Sequence, residues 1–220
     1  MTSYIQFPRY AINFVPNQNF IHIISDFYRE NKSLKNQFES KIQHQLYIQI
    51  KSPFYIDNIE NEKNLILSIS SIKNEIEIPT DLSFKQLEYN LKDHNGAFIV
   101  ELKKNFNFEF FINQIVRRFD EFRKVLSPSD YQKDITQFGE LTERQTINYQ
   151  IWGDPYLFQD SQYYISVLFF DDIQKNNQMY LTENLKKLFQ NLDCIDFEKI
   201  SLFKQSAEHD NFQEIHSILL

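Results

Sequence analysis

Tyr156-Leu-Phe-Gln-Asp-Ser-Gln-Tyr163-Tyr164-Ile165-Ser166-Val167-Leu168 is the stretch on which the reading of this chain turns. It follows Trp152-Gly153-Asp154-Pro155, where Gly and Pro punctuate the chain. Its second half is aromatic and β-branched. From Tyr163 to Phe170 almost no polar face is offered, which predicts a strand covered on both sides and therefore central in its sheet. A second stretch has the same design: Gln45-Leu-Tyr47-Ile-Gln49-Ile-Lys51-Ser-Pro53-Phe54. In each, a tyrosine stands two residues before a hydroxyl or amide side chain. The period of two along a strand puts Tyr47 with Gln49, and Tyr164 with Ser166, on one face.

Two strands that each carry His-x-Thr/Ser and face one another across a cleft define the 2H phosphoesterases. The chain resembles the branch of that superfamily associated with phosphonate metabolism. That branch's first motif, His-x-Thr-Leu-Lys-x-Pro-Phe, is matched in frame by Tyr47-Ile-Gln49-Ile-Lys51-Ser-Pro53-Phe54. Its second motif follows Trp-Gly-x-Pro-Tyr and reads His-x-Thr-Leu-Thr; here Trp152-Gly153-Asp154-Pro155-Tyr156 leads to Tyr164-Ile-Ser166-Val-Leu168. Arg9-Tyr-Ala-Ile-Asn-Phe-Val-Pro16 resembles the family's opening strand. Phe119-Asp-Glu-Phe-Arg123 through Ser127-Pro128, then Leu141-Thr-Glu-Arg-Gln145, resemble the segment before Trp152, and Ile200-Ser-Leu-Phe-Lys-Gln205 the closing strand. The resemblance implies an α+β, two-lobed fold across residues 1–220, with antiparallel sheets lining a central cleft and helices packed outside. The departure is that both histidines are tyrosines.

In the family one histidine takes a proton from the attacking oxygen and the other gives one to the leaving oxygen, while the hydroxyls two residues on hold the phosphate. Histidine suits this because its pKa of about 6.5 populates both protonation states near neutrality. Tyrosine, at about 10, would need a downward shift of about three units. The resemblance therefore implies a degenerate phosphoesterase with no catalytic residues, metal or cofactor. Tyr47, Gln49, Tyr164 and Ser166, with Lys51 nearby, remain hydrogen-bonding groups able to hold a phosphate or nucleotide. The alternative is that both rings fill the old cleft. Lys51 reads either as a neighbour of Gln49 on one face or as a solvated strand end. The function expected is a structural subunit of a larger assembly, with protein partners, or a phosphate-ligand binding module. The rivals are an active metal-independent phosphodiesterase on 2′,3′-cyclic or 2′–5′ linkages, and a phosphonate-pathway accessory enzyme.

Composition narrows the classes. The 220 residues are 42% hydrophobic and 16% aromatic, with 22 Phe, enough for one sizeable core. With 3 Gly, Gly-rich phosphate loops are absent. A net charge of −7 and pI of about 5.3 argue against nonspecific nucleic-acid binding or an anionic-membrane surface. The single cysteine, Cys194, excludes an internal disulfide and a Cys-based zinc site. The longest apolar runs fall well short of the ~18 residues of a membrane span. A strand beginning by Arg9 leaves little room for a leader, so an intracellular setting is expected.

In chain order, Tyr10–Val15 reads as strand and Pro16-Asn17 opens a helix with Phe20, Ile24 and Phe27 on one face. Ser33 to Lys41 reads as loop, and Gln45–Ile50 as a strand closed by Pro53. Asn61–Ile72 spaces Leu65, Ile69 and Ile72 as a helix, with a strand as rival; Glu75–Ile78 alternates like a short strand. Phe84–Leu91 admits a helix, but Leu87, Tyr89 and Leu91 alternate and Asn95-Gly96 predicts a hairpin turn before Ala97–Leu102. Phe108, Phe111, Ile112, Ile115, Phe119 and Phe122 predict an amphipathic helix. Ser127-Pro128 and the box Thr142-Glu-Arg-Gln145 each start another, the second stopping at Gly153. A helix bearing Leu181, Leu185, Leu188 and Leu192 and two strands, Phe197–Lys204 and Phe212–Ile218, complete the pattern. His22, His44, His94, His209 and His216 form no pair with metal-ligand spacing, and His44 sits at an odd offset from Tyr47. Glu60 to Glu62 and Asp171-Asp172 read as solvated loop acids, Arg117, Arg118 and Arg123 as surface ion pairs with Arg123 pointing toward the cleft as the alternative, and Trp152 as packing at its turn.

Overall fold

The structure, a computed structural model, describes residues 8–31, 34, 46–78, 89–94, 97–102, 105–169, 175–190, 192, 195–207 and 210–220. In chain order its elements are β1 (Arg9–Pro16), α1 (Gln18–Glu30), β2 (Ile48–Tyr55), α2 (Ile59–Glu75), β3 (Tyr89–His94), β4 (Ala97–Leu102), α3 (Phe106–Asp120), α4 (Pro128–Ile135), α5 (Glu143–Trp152), β5 (Tyr163–Phe169), α6 (Lys175–Gln190), β6 (Phe197–Gln205) and β7 (Gln213–Leu219). One sheet has the order β2-β1-β6-β7 and a second the order β3-β4-β5. Every pairing is antiparallel. The fold is α+β.

Helix starts follow the local chemistry. Orphan N–H groups at a helix N-terminus are satisfied by Asn, Ser or Thr side chains. Asn17 accepts from Phe20 N, Asn58 from Asn61 N, and Asn105 from Asn107 N and Phe108 N. Ser127 caps α4 with Pro128 at its first turn. Thr142 and Gln145 form a reciprocal capping box on α5, which ends at Gly153 in the left-handed conformation.

The core is one continuous apolar cluster spanning both sheets. Helix α3 joins them. Its Phe108 and Phe111 rings lie 5.8 and 5.7 Å from Phe14 of β1, and Phe108 meets Tyr163 of β5 edge-on at 4.9 Å. Such ring pairs add about 0.5–1.5 kcal/mol each beyond the area they bury. The Tyr28 hydroxyl of α1 donates to the Val167 carbonyl at 2.9 Å.

Helix α2 is fixed to α3 by a guanidinium fork. Arg118 donates to Ser68 and Ser71 at 2.9 Å each and pairs with Glu75. Hydrogen bonds from Arg118 and then Ser71 hold the Glu75 carboxyl down to about 2 from its ordinary 4.5. A carboxyl depressed on folding stabilises above its unfolded value and loses that contribution as it is protonated. Wild type should therefore melt above Glu75→Gln at pH 6, and the difference should shrink as pH falls from 4.5 toward about 2. A gap independent of pH would contradict the ion pair.

Four expectations need correction. Pro53 does not close β2, which continues to Tyr55; among the described residues β2 is an edge strand, where a missing ladder N–H is tolerated. β5 is not central: among the described residues it is the outer strand of its sheet. Its run is apolar because α3 covers one side and the Tyr28 hydroxyl takes a carbonyl. Residues 76–78 form no strand. The helix runs to Glu75, and the N–H of buried Ile76 still donates to Ile72 O at 2.8 Å. Glu60 and Glu62 stand in the first turn of α2, where the helix dipole favours carboxylates. Glu62 takes a bond from the Tyr10 phenol and 2.6 Å from Lys204 Nζ.

Asn61–Ile72 is helical as its spacing predicts, not the rival strand, with Leu65, Ile69 and Ile72 fully buried. The hairpin forms between β3 and β4, His94 pairing with Ala97. Residues 35–41, the Asn95-Gly96 turn itself, Asp171-Asp172 and Cys194 lie outside the described residues. Among the described residues no helix is long and apolar enough to cross a membrane.

Candidate functional site

The tyrosine motifs sit on β2 and β5, which lie against one another. Ile48 pairs with Phe14, whose ring meets α3, so Gln49, one residue on, faces the other way. On β5, Tyr163 meets α3 and Tyr164 does not share its face. Each strand carries a bulge immediately after its second motif position. Lys51 pairs with Ile12 and Gln49 with Asn13, leaving Ile50 unpaired; Leu168 pairs with Phe98 and Ser166 with Ile99, leaving Val167 unpaired. A bulge re-aims the side chains that follow it and is over-represented beside active sites.

The structure brings Tyr47 and Tyr164 together. Burial pushes the Tyr47 phenol up, and the nearby Tyr164 adds to the shift. The Tyr47 ring lies 5.4 Å from Phe203 of β6, whereas Tyr164 is 41% exposed. Gln49 is exposed and donates to Ser52 Oγ at 3.0 Å; Ser166 is half-buried. These residues supply phenol, amide and hydroxyl groups, and burial moves the Tyr47 phenol away from basic behaviour at neutral pH.

Lys51 is neither beside Gln49 nor a solvated strand end. The Ile50 bulge turns it to the opposite face, where it is 3% exposed and donates to Asp120 at 3.2 Å. Burial lowers its pKa, and Asp120 opposes the shift. Arg123 is not on the surface either. Its side chain, 11% exposed, donates to Asp120 at 2.7 Å and to the Ile151 carbonyl at 2.6 Å, while lying against Gly153. Asp154 completes the cluster. It is buried, takes bonds from Ser52 and from Tyr156 N at 2.8 Å, and is pushed up by its burial. Ser52 thus links Gln49 to Asp154. Sequence reasoning missed Asp120 and Asp154; Asp154 carried a signal, a carboxylate between Gly153 and Pro155 in a turn, whereas Asp120 is hidden in the charged run Arg117 to Lys124.

The remaining candidates are elsewhere. His22 is exposed on α1. His216 of β7 is half-buried, with Nε2 2.8 Å from Ser70 Oγ, on the face of the sheet that carries Leu202. His44, His209 and the side chain of His94 lie outside the described residues. Arg117 lies over the Phe158 ring, and Trp152 packs edge-on to the same ring at 5.5 Å. Among the described residues no group of three His, Cys, Asp or Glu could hold a metal ion.

No curated protein matches the chain. A family model described as a protein of unknown function, DUF1045, matches residues 49–213. That span begins at Gln49, contains the whole of the Lys51 cluster and the second tyrosine motif, and ends on the first residue of β7. The chain belongs to the DUF1045 family.

Proposed function

We propose that this chain is a 2H phosphoesterase-like domain without acid–base chemistry, a non-hydrolytic binding module. The observation that carries the reading is the tyrosine pair. The two motif positions hold neighbouring phenols, and burial raises the pKa of Tyr47 where a base would need it lowered. The paired bulges behind Gln49 and Ser166 support a retained ligand geometry rather than an unrelated sheet edge. Because Lys51 is committed to Asp120, the binding groups left beside the tyrosines are neutral.

Titration of the Tyr47 phenol tests the reading. The ultraviolet difference between wild type and Tyr47→Phe should show tyrosinate appearing only above pH 10. Appearance below pH 8 would supply a base and overturn the proposal. A role inside a larger intracellular assembly is favoured by one further observation. Phe106 and Phe110 on α3 stack at 6.3 Å while 79% and 58% exposed, an apolar pair presented to the outside.

A further inference from the structure

The exposed Gln49 amide is held from behind by a chain of hydrogen bonds that ends on a buried carboxylate. Gln49 Nε2 donates to Ser52 Oγ at 3.0 Å, and the Ser52 hydroxyl donates to Asp154 Oδ2. The other carboxylate oxygen, Oδ1, takes the Tyr156 N–H at 2.8 Å. Asp154 is buried, between Gly153 in the left-handed conformation and Pro155. Burial pushes its pKa up, while the bonds from Ser52 and Tyr156 and the Lys51 charge oppose the shift.

The direction of each bond follows from the one before. A carboxylate only accepts, so Ser52 directs its single proton to Asp154. The Ser52 oxygen is then left as an acceptor, and Gln49 turns its NH2 group toward it, leaving its carbonyl oxygen on the other side. Gln49 is exposed and Tyr164 is 41% exposed, so a ligand reaches this edge from solvent. Among the described residues nothing pairs with the Gln49 oxygen or with the Tyr47 and Tyr164 hydroxyls. Of the four motif groups, the hydroxyls of Tyr47, Tyr164 and Ser166 can turn to donate or accept. The Gln49 oxygen cannot. A phosphate oxygen set against it would place lone pair on lone pair, whereas an O–H completes a bond.

We propose that Asp154, acting through Ser52, is a positioning residue that sets this site to a neutral polyhydroxyl ligand of the sugar class rather than to a phosphate. A sugar hydroxyl supplies the donor that Gln49 requires, the tyrosine hydroxyls pair with its neighbours, and the exposed Tyr164 ring offers apolar surface to the C–H face. The inference rests on the non-hydrolytic binding reading and names the ligand class of that site.

Asp154→Asn is the test, because an amide of the same shape reverses the chain. Its oxygen keeps the Tyr156 N–H and its nitrogen donates to Ser52. The Ser52 proton then passes to the Gln49 carbonyl, and the Gln49 NH2 group turns outward. Binding to the full chain is followed by NMR titration with the methyl glycosides of glucose, mannose and ribose, their fully O-methylated forms, and inorganic phosphate. Wild type should bind at least one glycoside, and neither its O-methylated form nor phosphate. In Asp154→Asn that glycoside should bind about tenfold more weakly, the effect of one hydrogen bond, and phosphate should now bind. Ser52→Ala cuts the chain and frees the amide to turn either way. It should also admit phosphate, and it carries the test if Asp154→Asn does not fold. Wild-type binding of phosphate, of the O-methylated forms, or of no glycoside would overturn the proposal. So would variants that keep the wild-type preference, or that lose the glycoside without gaining phosphate, the mark of a merely structural role. Hydrolysis of a 2′,3′-cyclic nucleotide by wild type, run in parallel, would instead overturn the parent reading.

Discussion

Replacing Asp120 with alanine should lower folding stability by about 3–5 kcal/mol, the usual cost of stripping the partner from a buried ion pair. Asp120 is the shared counter-charge of Lys51 at 3.2 Å and Arg123 at 2.7 Å, both nearly inaccessible. Coulomb attraction at these separations does not by itself repay the desolvation of three charged groups. Removing the anion, however, leaves two cations in the interior, with Asp154 the one other carboxylate acting on Lys51 among the described residues. The sign of the pH response follows. A lysine whose folded pKa is depressed binds its proton more weakly than in the unfolded chain, so stability rises with pH. The deficit of Asp120→Ala should therefore shrink as pH rises toward the ordinary lysine value of 10.5. Lys51→Met in the same background should recover most of the loss, since an apolar chain of similar volume needs no counter-charge. Equilibrium denaturation of the two single variants and the double variant measures all three. A loss below 1 kcal/mol would mean that Asp120 is not the counter-ion of the cluster.

Gly153→Ala should cost about 3 kcal/mol. Gly153 has φ of +73°, where an L-residue loses about 1–2 kcal/mol. An added Cβ would also stand 2.8 Å from Arg123 Cδ. The guanidinium would have to move, loosening its bonds to Asp120 and the Ile151 carbonyl, and charged hydrogen bonds are worth about 1.5–3 kcal/mol each. The steric part should vanish in an Arg123→Ala background, leaving the backbone part alone; equal costs in both backgrounds would contradict the coupling.

Much of the fold was legible because it is written in local pattern. The stripe from Phe108 to Phe119, the caps at Asn17, Ser127 and Thr142 and the stop at Gly153 each follow from one or two turns of sequence. The failures share a cause in tertiary pairing. Lys51 seemed tied to Gln49 because period-two reasoning assumes an unbroken ladder, and the unpaired Ile50 reverses the face. Glu75–Ile78 alternates, but Arg118 anchors the helix through Glu75. Tyr163 to Leu168 reads as central because its residues are mostly apolar, yet it is an outer strand among the described residues: Tyr163, Ile165 and Val167 are buried while Tyr164 is 41% exposed. Of the candidate site, Tyr47 and Tyr164 were readable from motif spacing. The Gln49–Ser52–Asp154 chain was not, because it exists only once β2 and the turn after α5 are packed together.

The central claim is that the tyrosine pair does not perform phosphoester chemistry. Its most direct test is single-turnover hydrolysis of 2′,3′-cyclic mononucleotides and a 2′–5′-linked dinucleotide, with protein in excess over substrate. Wild type and the Tyr47→Phe/Tyr164→Phe double variant are compared at pH 7. The account predicts that both remain at the uncatalysed rate. A wild-type rate above background that disappears in the double variant would contradict it.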